Sequence, residues 1–330
     1  MSEFREDVVS GDWIIVAPER AKRPHEFLKK RVKRVPADRA TCPFENLEKS
    51  GNWPPILSWP NEKTWRNVVV PNKYPALKHE KLCVFSIPKG PYHYFEGAGH
   101  HDLLISRDHK KTLADLTVTE GTELLQLLQK RYLMLAGDKC LLYASTFFNW
   151  GESVGASLYH PHYQILTLPI IPPDILHSLT GSQKYFKTHR RCVHCDMLAF
   201  ERRAKSRVVG AVKGAVAIAP YVSRQPFEIR IYPTAHTPFF EKTSEASLRA
   251  VVAVLRATLR KMRSGLRDPD LNFFIHTAPL KQQEKYGYYH WHIEVLPKIT
   301  IPGGFELSTG IDINVIDPDR AARLLRKAQS

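Results

Sequence analysis

The cysteines and histidines of this 330-residue chain follow one order twice. Each half carries a cysteine motif, a lone histidine, a helix-start signal eight residues after that histidine, and then a His-x-His run. The members are Cys42–Glu45, His109, Thr117 and His160–His162 in the first half, and Cys192–Cys195, His236, Ser244 and His290–His292 in the second. A repeated order of this kind indicates a duplicated structural unit.

Local signals predict an α+β fold of antiparallel sheets with flanking helices, built from two copies of one unit. Thr117 and Glu120 form a capping box, Thr243 or Ser244 begins a second helix that ends near Gly265, and Asp317-Pro318 begins a third. Runs rich in β-branched and aromatic residues predict strands. These runs cover 13–16, 68–70, 103–105, 227–232 and 272–275. We expect the halves to be residues 1–180 and 181–330, meeting in a loop at 180–183.

Composition narrows the class of protein. The net charge of +15 favours phosphorylated metabolites or nucleic acid as partners. Because the N-terminus is charged and no apolar run is long enough to cross a bilayer, we expect a cytoplasmic protein without a membrane segment. Five cysteines are too few, and odd in number, for a disulfide framework. Cys83 and Cys140 belong to no motif and are predicted to be packing residues.

The second half offers four ligands for one metal ion. Cys192 and Cys195 have a CxxC spacing, and His236 and His290 can complete a tetrahedral zinc site. Two alternatives stay open: a redox-active CxxC pair, which would normally sit in a βαβ unit, and thiols that only pack.

The first half offers a related set. Cys42, His109 and His160 are candidate ligands, and Glu45 stands where a second cysteine would be expected. A carboxylate can replace a thiolate on zinc. We therefore expect one or two zinc ions per chain, with iron possible at one site.

His162 is the candidate nucleophile. On a strand it shares a face with His160, and a neutral imidazole is nucleophilic near pH 7. Gln164 lies two residues further on the same face and can donate its amide to a phosphate oxygen, as can Ser157 and Asn149 just upstream. Arg20 and Arg23 can hold phosphate groups by forked hydrogen bonds.

The segment Gly155–Gln164 resembles the active-site motif of the galactose-1-phosphate uridylyltransferase family, within the histidine-triad superfamily. The resemblance extends over nearly the whole chain. It includes Arg20–Pro24, Asp108–Leu113 and His290–His292. It also implies substrate-binding roles for Asn72 and Asn149, and for Phe305 and Glu306 near the C-terminus.

The resemblance implies a ping-pong reaction. His162 would attack the α-phosphorus of UDP-glucose and release glucose 1-phosphate, and galactose 1-phosphate would take UMP from the uridylyl-histidine. It also implies a homodimer in which Arg20 and Arg23 reach the site of the other subunit. The intact Cys192–Cys195 motif is similar to relatives that bind two zinc ions.

Three alternatives remain at this stage. Some relatives of that kind phosphorolyse ADP-glucose, so an ADP-glucose or other NDP-sugar phosphorylase is the first alternative. A histidine-triad nucleotide hydrolase is the second. A zinc-containing nucleic-acid-binding protein is the third, and it is disfavoured because basic residues are dispersed and no known binding module is present.

Overall fold

The computed structural model describes residues 1–20, 38–78, 83 and 86–329. Its elements are named here in chain order. The strands are β1 (Glu3–Glu6), β2 (Trp13–Val16), β3 (Leu57–Trp59), β4 (Asn67–Pro71), β5 (Ile87–Lys89), β6 (Tyr92–Tyr94), β7 (His101–Ser106), β8 (Tyr143–Trp150), β9 (His162–Leu168), β10 (Val208–Val212), β11 (Ala215–Ile218), β12 (Ile229–Pro233), β13 (Leu271–His276), β14 (His292–Pro297) and β15 (Asp312–Asn314). The helices are α1 (Val118–Ala136), α2 (Pro173–His189), α3 (Val193–Ala204), α4 (Glu245–Gly265), α5 (Gly304–Thr309) and α6 (Pro318–Lys327).

Within the described ranges, ten strands form one antiparallel sheet in the order β10-β11-β12-β14-β13-β8-β9-β7-β4-β3. From the central β13–β8 pair outward, the second half runs β13, β14, β12, β11, β10. The first half runs β8, β9, β7, β4, β3. Each half therefore places its strands in the same order around a helix, α1 or α4, that falls between its third and fourth strands. This confirms the α+β class with antiparallel sheets.

Helices α1 and α4 pack side by side on one face of the sheet. Thr117 caps α1 through a capping box with Glu120, and Ser244 caps α4, as predicted. Their apolar stripes form the main core with the strand residues of that face. Gly121 allows the two helices to approach, because a Cβ at this position would lie 2.7 Å from Val252 Cγ1.

A small sheet of β1, β2 and β15 packs beside the second half. Arg5 of β1 donates to Asp317 Oδ2 at 2.8 Å, and Asp317 is also the N-cap of α6. Asp7, just after β1, lies 3.6 Å from Arg230 of β12. The N-terminal hairpin is thus joined by ion pairs to the C-terminal helix and to the large sheet.

The prediction of a loop at residues 180–183 is wrong, because these residues lie inside α2. Pro173 begins that helix, and the buried Ile175 and Leu179 pack against Tyr289. A glycine is needed at position 181 because the carbonyl oxygen of Val9 occupies the place that a Cβ atom would take. The division into 1–180 and 181–330 stays a prediction, and its boundary falls within this helix.

The prediction that Cys83 and Cys140 are packing residues is wrong, because the two cysteines form a disulfide. Their Cα atoms are 4.9 Å apart although 57 residues separate them along the chain. The bond ties the segment before β5 to the turn between α1 and β8. Among the described residues, no helix is both long and apolar enough to cross a membrane.

Candidate active site

Three of the predicted site residues, His162, Gln164 and Asn149, lie on the face of the sheet opposite α1. In β9, Tyr163 and Ile165 point into the core under α1, so His162 and Gln164 point to the other face. The β8–β9 register pairs Phe148 with Tyr163, which places Asn149 directly across from His162. The strand pattern therefore brings His162, Gln164 and Asn149 together.

His162 is held with one ring nitrogen in use. Its Nδ1 donates to the carbonyl oxygen of His160 at 2.9 Å, which leaves Nε2 as the atom with a lone pair. The ring is buried, and Phe44 meets it edge-on at 5.1 Å between centroids. Burial lowers the pKa of His162, which favours the neutral imidazole that a nucleophile requires.

Cys42, His109 and His160 converge beside this ring. Their ligand atoms all lie within 4.8 Å of one another, and all three side chains are buried. Glu45 joins them, since its Oε1 is 2.7 Å from His109 Nδ1 and 3.9 Å from His160 Nδ1. His160 donates from Nε2 to the Ser106 carbonyl at 2.7 Å, so its Nδ1 lone pair faces the cluster.

Cys192, Cys195, His236 and His290 form the second cluster, again within 4.8 Å. Cys195 Sγ lies 3.4 Å from His236 Nδ1 and 3.5 Å from His290 Nδ1. A hydrogen bond from the Cys192 thiol lowers the pKa of Cys195. Both histidines donate from Nε2 to backbone carbonyls, of Gly287 and Pro233, so their Nδ1 atoms point inward. Two thiols and two oriented imidazoles fit a tetrahedral metal ion.

The counterpart of the His162 site in the second half is filled by charged side chains. His292 repeats the contact of His162, with Nδ1 3.2 Å from the His290 carbonyl, but its Nε2 faces Glu294 at 3.3 Å. Arg224 and Arg230 lie 2.8 and 3.0 Å from the same carboxylate. Burial would raise the pKa of Glu294, yet Arg230 and its other cationic neighbours hold it well below its usual range.

The remaining predicted residues are placed less centrally. Ser157 is exposed on the loop that leads to His160, and Asn72 lies 3.2 Å from His101 beside Gln164. Arg20 is exposed after β2, and Arg23 lies outside the described residues. Phe305 and Glu306 are on α5, where Glu306 accepts from the backbone of Gly303 at 2.8 Å.

Three residues of the site were not predicted from the sequence. Phe44 covers His162, His101 contacts Gln164, and Asn272 of β13 contacts Asn149. Phe44 stood inside the Cys42–Glu45 motif, and that position was its only hint. The other two contacts depend on strand register, which the sequence does not state.

Fold and site together define a nucleotidyltransferase built from two copies of one α+β unit. The profile of the family described as galactose-1-phosphate uridyl transferase, N-terminal domain, matches residues 1–172, and the chain belongs to this family.

Two relatives cover almost the entire chain. An ADP-glucose phosphorylase of Arabidopsis thaliana is 32% identical over 98% of this chain and 92% of its own length. A galactose-1-phosphate uridylyltransferase of Thermotoga maritima is 27% identical over 100% and 99%. The crystal structure of an ADP-glucose phosphorylase from Arabidopsis thaliana with bound ADP-glucose superposes with a TM-score of 0.85, at 29% identity, covering 100% of both chains.

Proposed function

We propose that this enzyme moves UMP between hexose 1-phosphates, converting UDP-glucose and galactose 1-phosphate to glucose 1-phosphate and UDP-galactose. One observation carries the proposal: His162 keeps Nε2 free on a face that also holds Gln164 and Asn149. Nε2 attacks the α-phosphorus, the bond to the bridging oxygen breaks, and hexose 1-phosphate leaves. A second hexose 1-phosphate then attacks the same phosphorus and frees the imidazole.

The side chains around His162 would stabilise the charge on the phosphorus centre. Gln164 and Asn149 donate amide hydrogens to nonbridging oxygens, and the exposed hydroxyl of Ser157 is free to add another. Donors placed where charge develops supply much of the rate in reactions of this type. Asn72, Arg20, Arg23, Phe305 and Glu306 would bind the rest of the sugar nucleotide.

A second candidate is phosphorolysis of ADP-glucose or another NDP-sugar. It is favoured by the Arabidopsis thaliana phosphorylase, which shares more identity with the chain than the Thermotoga maritima uridylyltransferase does. The first half-reaction is the same. The difference lies in the second, where inorganic phosphate instead of a hexose 1-phosphate takes the nucleotide.

We further propose a zinc ion at each of the two ligand clusters, with iron as the alternative metal at one of them. Zinc held by Cys42, Glu45, His109 and His160 would fix the first residue of the His-x-His run, and so the position of His162. Zinc held by Cys192, Cys195, His236 and His290 would join α3 to the second half of the sheet. A homodimer and a cytoplasmic location also remain predictions.

Product analysis tests the function directly. The purified protein is incubated with UDP-glucose or ADP-glucose, each paired with galactose 1-phosphate or phosphate, and products are identified by mass spectrometry. We expect UDP-galactose from the UDP-glucose and galactose 1-phosphate pair. Turnover of only ADP-glucose with phosphate would replace the first proposal with the second, and no nucleotidyl transfer in any pair would overturn both.

A further inference from the structure

Two amides beside His162 have their oxygen atoms already engaged by the protein. Gln164 Oε1 lies 3.0 Å from His101 Nε2, and Asn149 Oδ1 accepts from Asn272 Nδ2 at 2.8 Å. A carboxamide whose oxygen is engaged presents its NH2 group on the opposite side. Both side chains therefore offer hydrogen-bond donors to the site.

A backbone group determines which nitrogen of His101 carries the proton. The Ala76 N–H donates to His101 Nδ1 at 3.0 Å, so Nδ1 is the unprotonated nitrogen and Nε2 carries the hydrogen. The Asn72 amide nitrogen, 3.2 Å from Nε2, cannot accept that hydrogen. Gln164 Oε1 is left as the acceptor. The N–H of Ala76 thus sets the orientation of Gln164 through the His101 ring.

A second backbone group determines the orientation of Asn272. Its Nδ2 lies 3.3 Å from the carbonyl oxygen of Val154 and 2.8 Å from Asn149 Oδ1. Because a carbonyl only accepts, the atom facing it must be the amide nitrogen. Asn272 belongs to β13 of the second half and pairs in register with Asn149 of β8. The second half of the chain therefore shapes the site of the first.

We propose that His101 and Asn272 are positioning residues of this enzyme. They hold the amides of Gln164 and Asn149 so that both direct N–H groups, and not oxygens, at the phosphate of a bound nucleotide. A reversed amide would place an oxygen against a phosphate oxygen and repel it. The inference rests on the proposed function, because it assigns a role within the transfer of the nucleotidyl group to His162.

The test for His101 is a double-mutant cycle read out as the rate of nucleotidyl-enzyme formation, measured by rapid quench with the sugar nucleotide that the wild type uses. His101→Met removes the donor and should slow that step about tenfold. In a Gln164→Ala background it should cause no further loss. His101→Gln, whose amide nitrogen can occupy the place of Nε2, should restore much of the rate. His100→Met is the matched control, since the His100 ring lies 3.7 Å from Asp138, and it should leave the rate unchanged.

Equal losses from His101→Met in the presence and absence of Gln164 would overturn the role of His101. The same cycle with Asn272→Leu and Asn149→Ala decides the role of Asn272, and additive effects would again refute it. Thermal melting of each variant identifies loss of folding, and a variant that does not fold is replaced by His101→Asn or Asn272→Ser.

Nitrogen NMR on protein labelled at histidine gives a readout that does not depend on activity. The resonances lost in His101→Met should show a neutral ring protonated at Nε2, and a ring protonated at Nδ1 would contradict the inference. If the wild type forms no adduct with any sugar nucleotide, the proposed function fails. The ring measurement still decides whether His101 is held as described.

Discussion

The chemistry of the site depends on which nitrogen of each imidazole is in use. His162 donates from Nδ1 to a backbone carbonyl, whereas His160, His236 and His290 donate from Nε2. The first arrangement frees Nε2 for attack, and the second frees Nδ1 for a metal ion. The same residue type is thus oriented for two different roles, according to the carbonyl that it contacts.

Replacing His162 with glycine should abolish the covalent nucleotidyl-enzyme and leave the fold intact, because the ring makes one hydrogen bond, to the carbonyl of His160 just before β9, and packs against Phe44. Intact-protein mass spectrometry after incubation with sugar nucleotide measures the adduct. His177→Ala, an exposed histidine of α2, should keep it. An adduct that survives in His162→Gly would place the nucleophile elsewhere.

Glu241 is a second residue whose environment leads to a prediction. Its side chain is buried, its Oε2 has no hydrogen-bond partner among the described residues, and burial raises its pKa. An acid whose folded pKa is raised destabilises the fold as pH rises above the unfolded pKa near 4.5. Glu241→Gln keeps the acceptor for Gln283 and should raise the melting temperature at pH 7.

The gain from Glu241→Gln should shrink as pH falls and vanish below about 4, where the wild-type carboxyl is protonated in both states. Thermal unfolding from pH 4 to pH 7.5 measures it. Glu245→Gln, at the first turn of α4, is the exposed control and should show no gain of this kind. A gain that is the same at every pH would contradict the assignment to ionisation.

At the scale of elements, the sequence was sufficient to predict those features that depend only on residues close together in the chain. Thr117, Ser244 and Asp317 cap their helices as predicted, since a cap depends on residues within one turn. Helix α2 was missed because glycine, serine and threonine at 180–182 favour loops, and packing on Tyr289 overrides that preference. The Cys83–Cys140 bond and the His101–Gln164 contact were invisible because both depend on chain segments that are distant in sequence.

The contact between α1 and α4 leads to a prediction about Gly121. A methyl group at this position would meet Val252 at 2.7 Å, so Gly121→Ala should destabilise the protein by about 1–3 kcal/mol despite the better helix propensity of alanine. Denaturant unfolding measures the change. Gly210→Ala is the control, since a Cβ there would have no neighbour within 4 Å in the part of the chain that the structure describes. Stabilisation by Gly121→Ala would show that the two helices are further apart.

The disulfide gives a prediction for the loop that it closes. Removing a cross-link across 57 residues increases the entropy of the unfolded chain, so Cys140→Ser should lower the free energy of unfolding by roughly 2–4 kcal/mol. Urea unfolding of both proteins measures the difference. Peptide mapping without reductant should show Cys83 joined to Cys140 in the wild type. Free thiols at both positions would show that the bond does not form.

At the scale of the whole molecule, the duplication was predictable from the order of cysteines and histidines, but the joining of both halves into one sheet was not. That joining depends on the pairing of β13 with β8, and no pattern of residues in the sequence predicts the register of this pair. The difference between the two His-x-His sites could be predicted in part, because Glu294 stands in the second half where the first half has Gln164. The arginines that neutralise Glu294 come from β12 and the segment before it.

Metal content is the prediction for the chain as a whole. If both clusters hold zinc, elemental analysis should return close to two ions per chain, and Cys192→Ser should lower the value to about one. The Cys192→Ser chain should still form the nucleotidyl-enzyme, because its site lies in the other half. A wild-type value near one, unchanged by Cys192→Ser, would assign the single ion to the first cluster.

The ion cluster of Arg224, Arg230 and Glu294 has a consequence for the stoichiometry of labelling. Two identical units paired as separate chains would carry two reactive imidazoles, but here the ring in the second unit faces a carboxylate held by two guanidinium groups. Each chain should therefore accept one nucleotide and never two, however long it is exposed to donor. Because both units lie in one chain, a substitution in one does not appear in the other, and the two can differ as they do here.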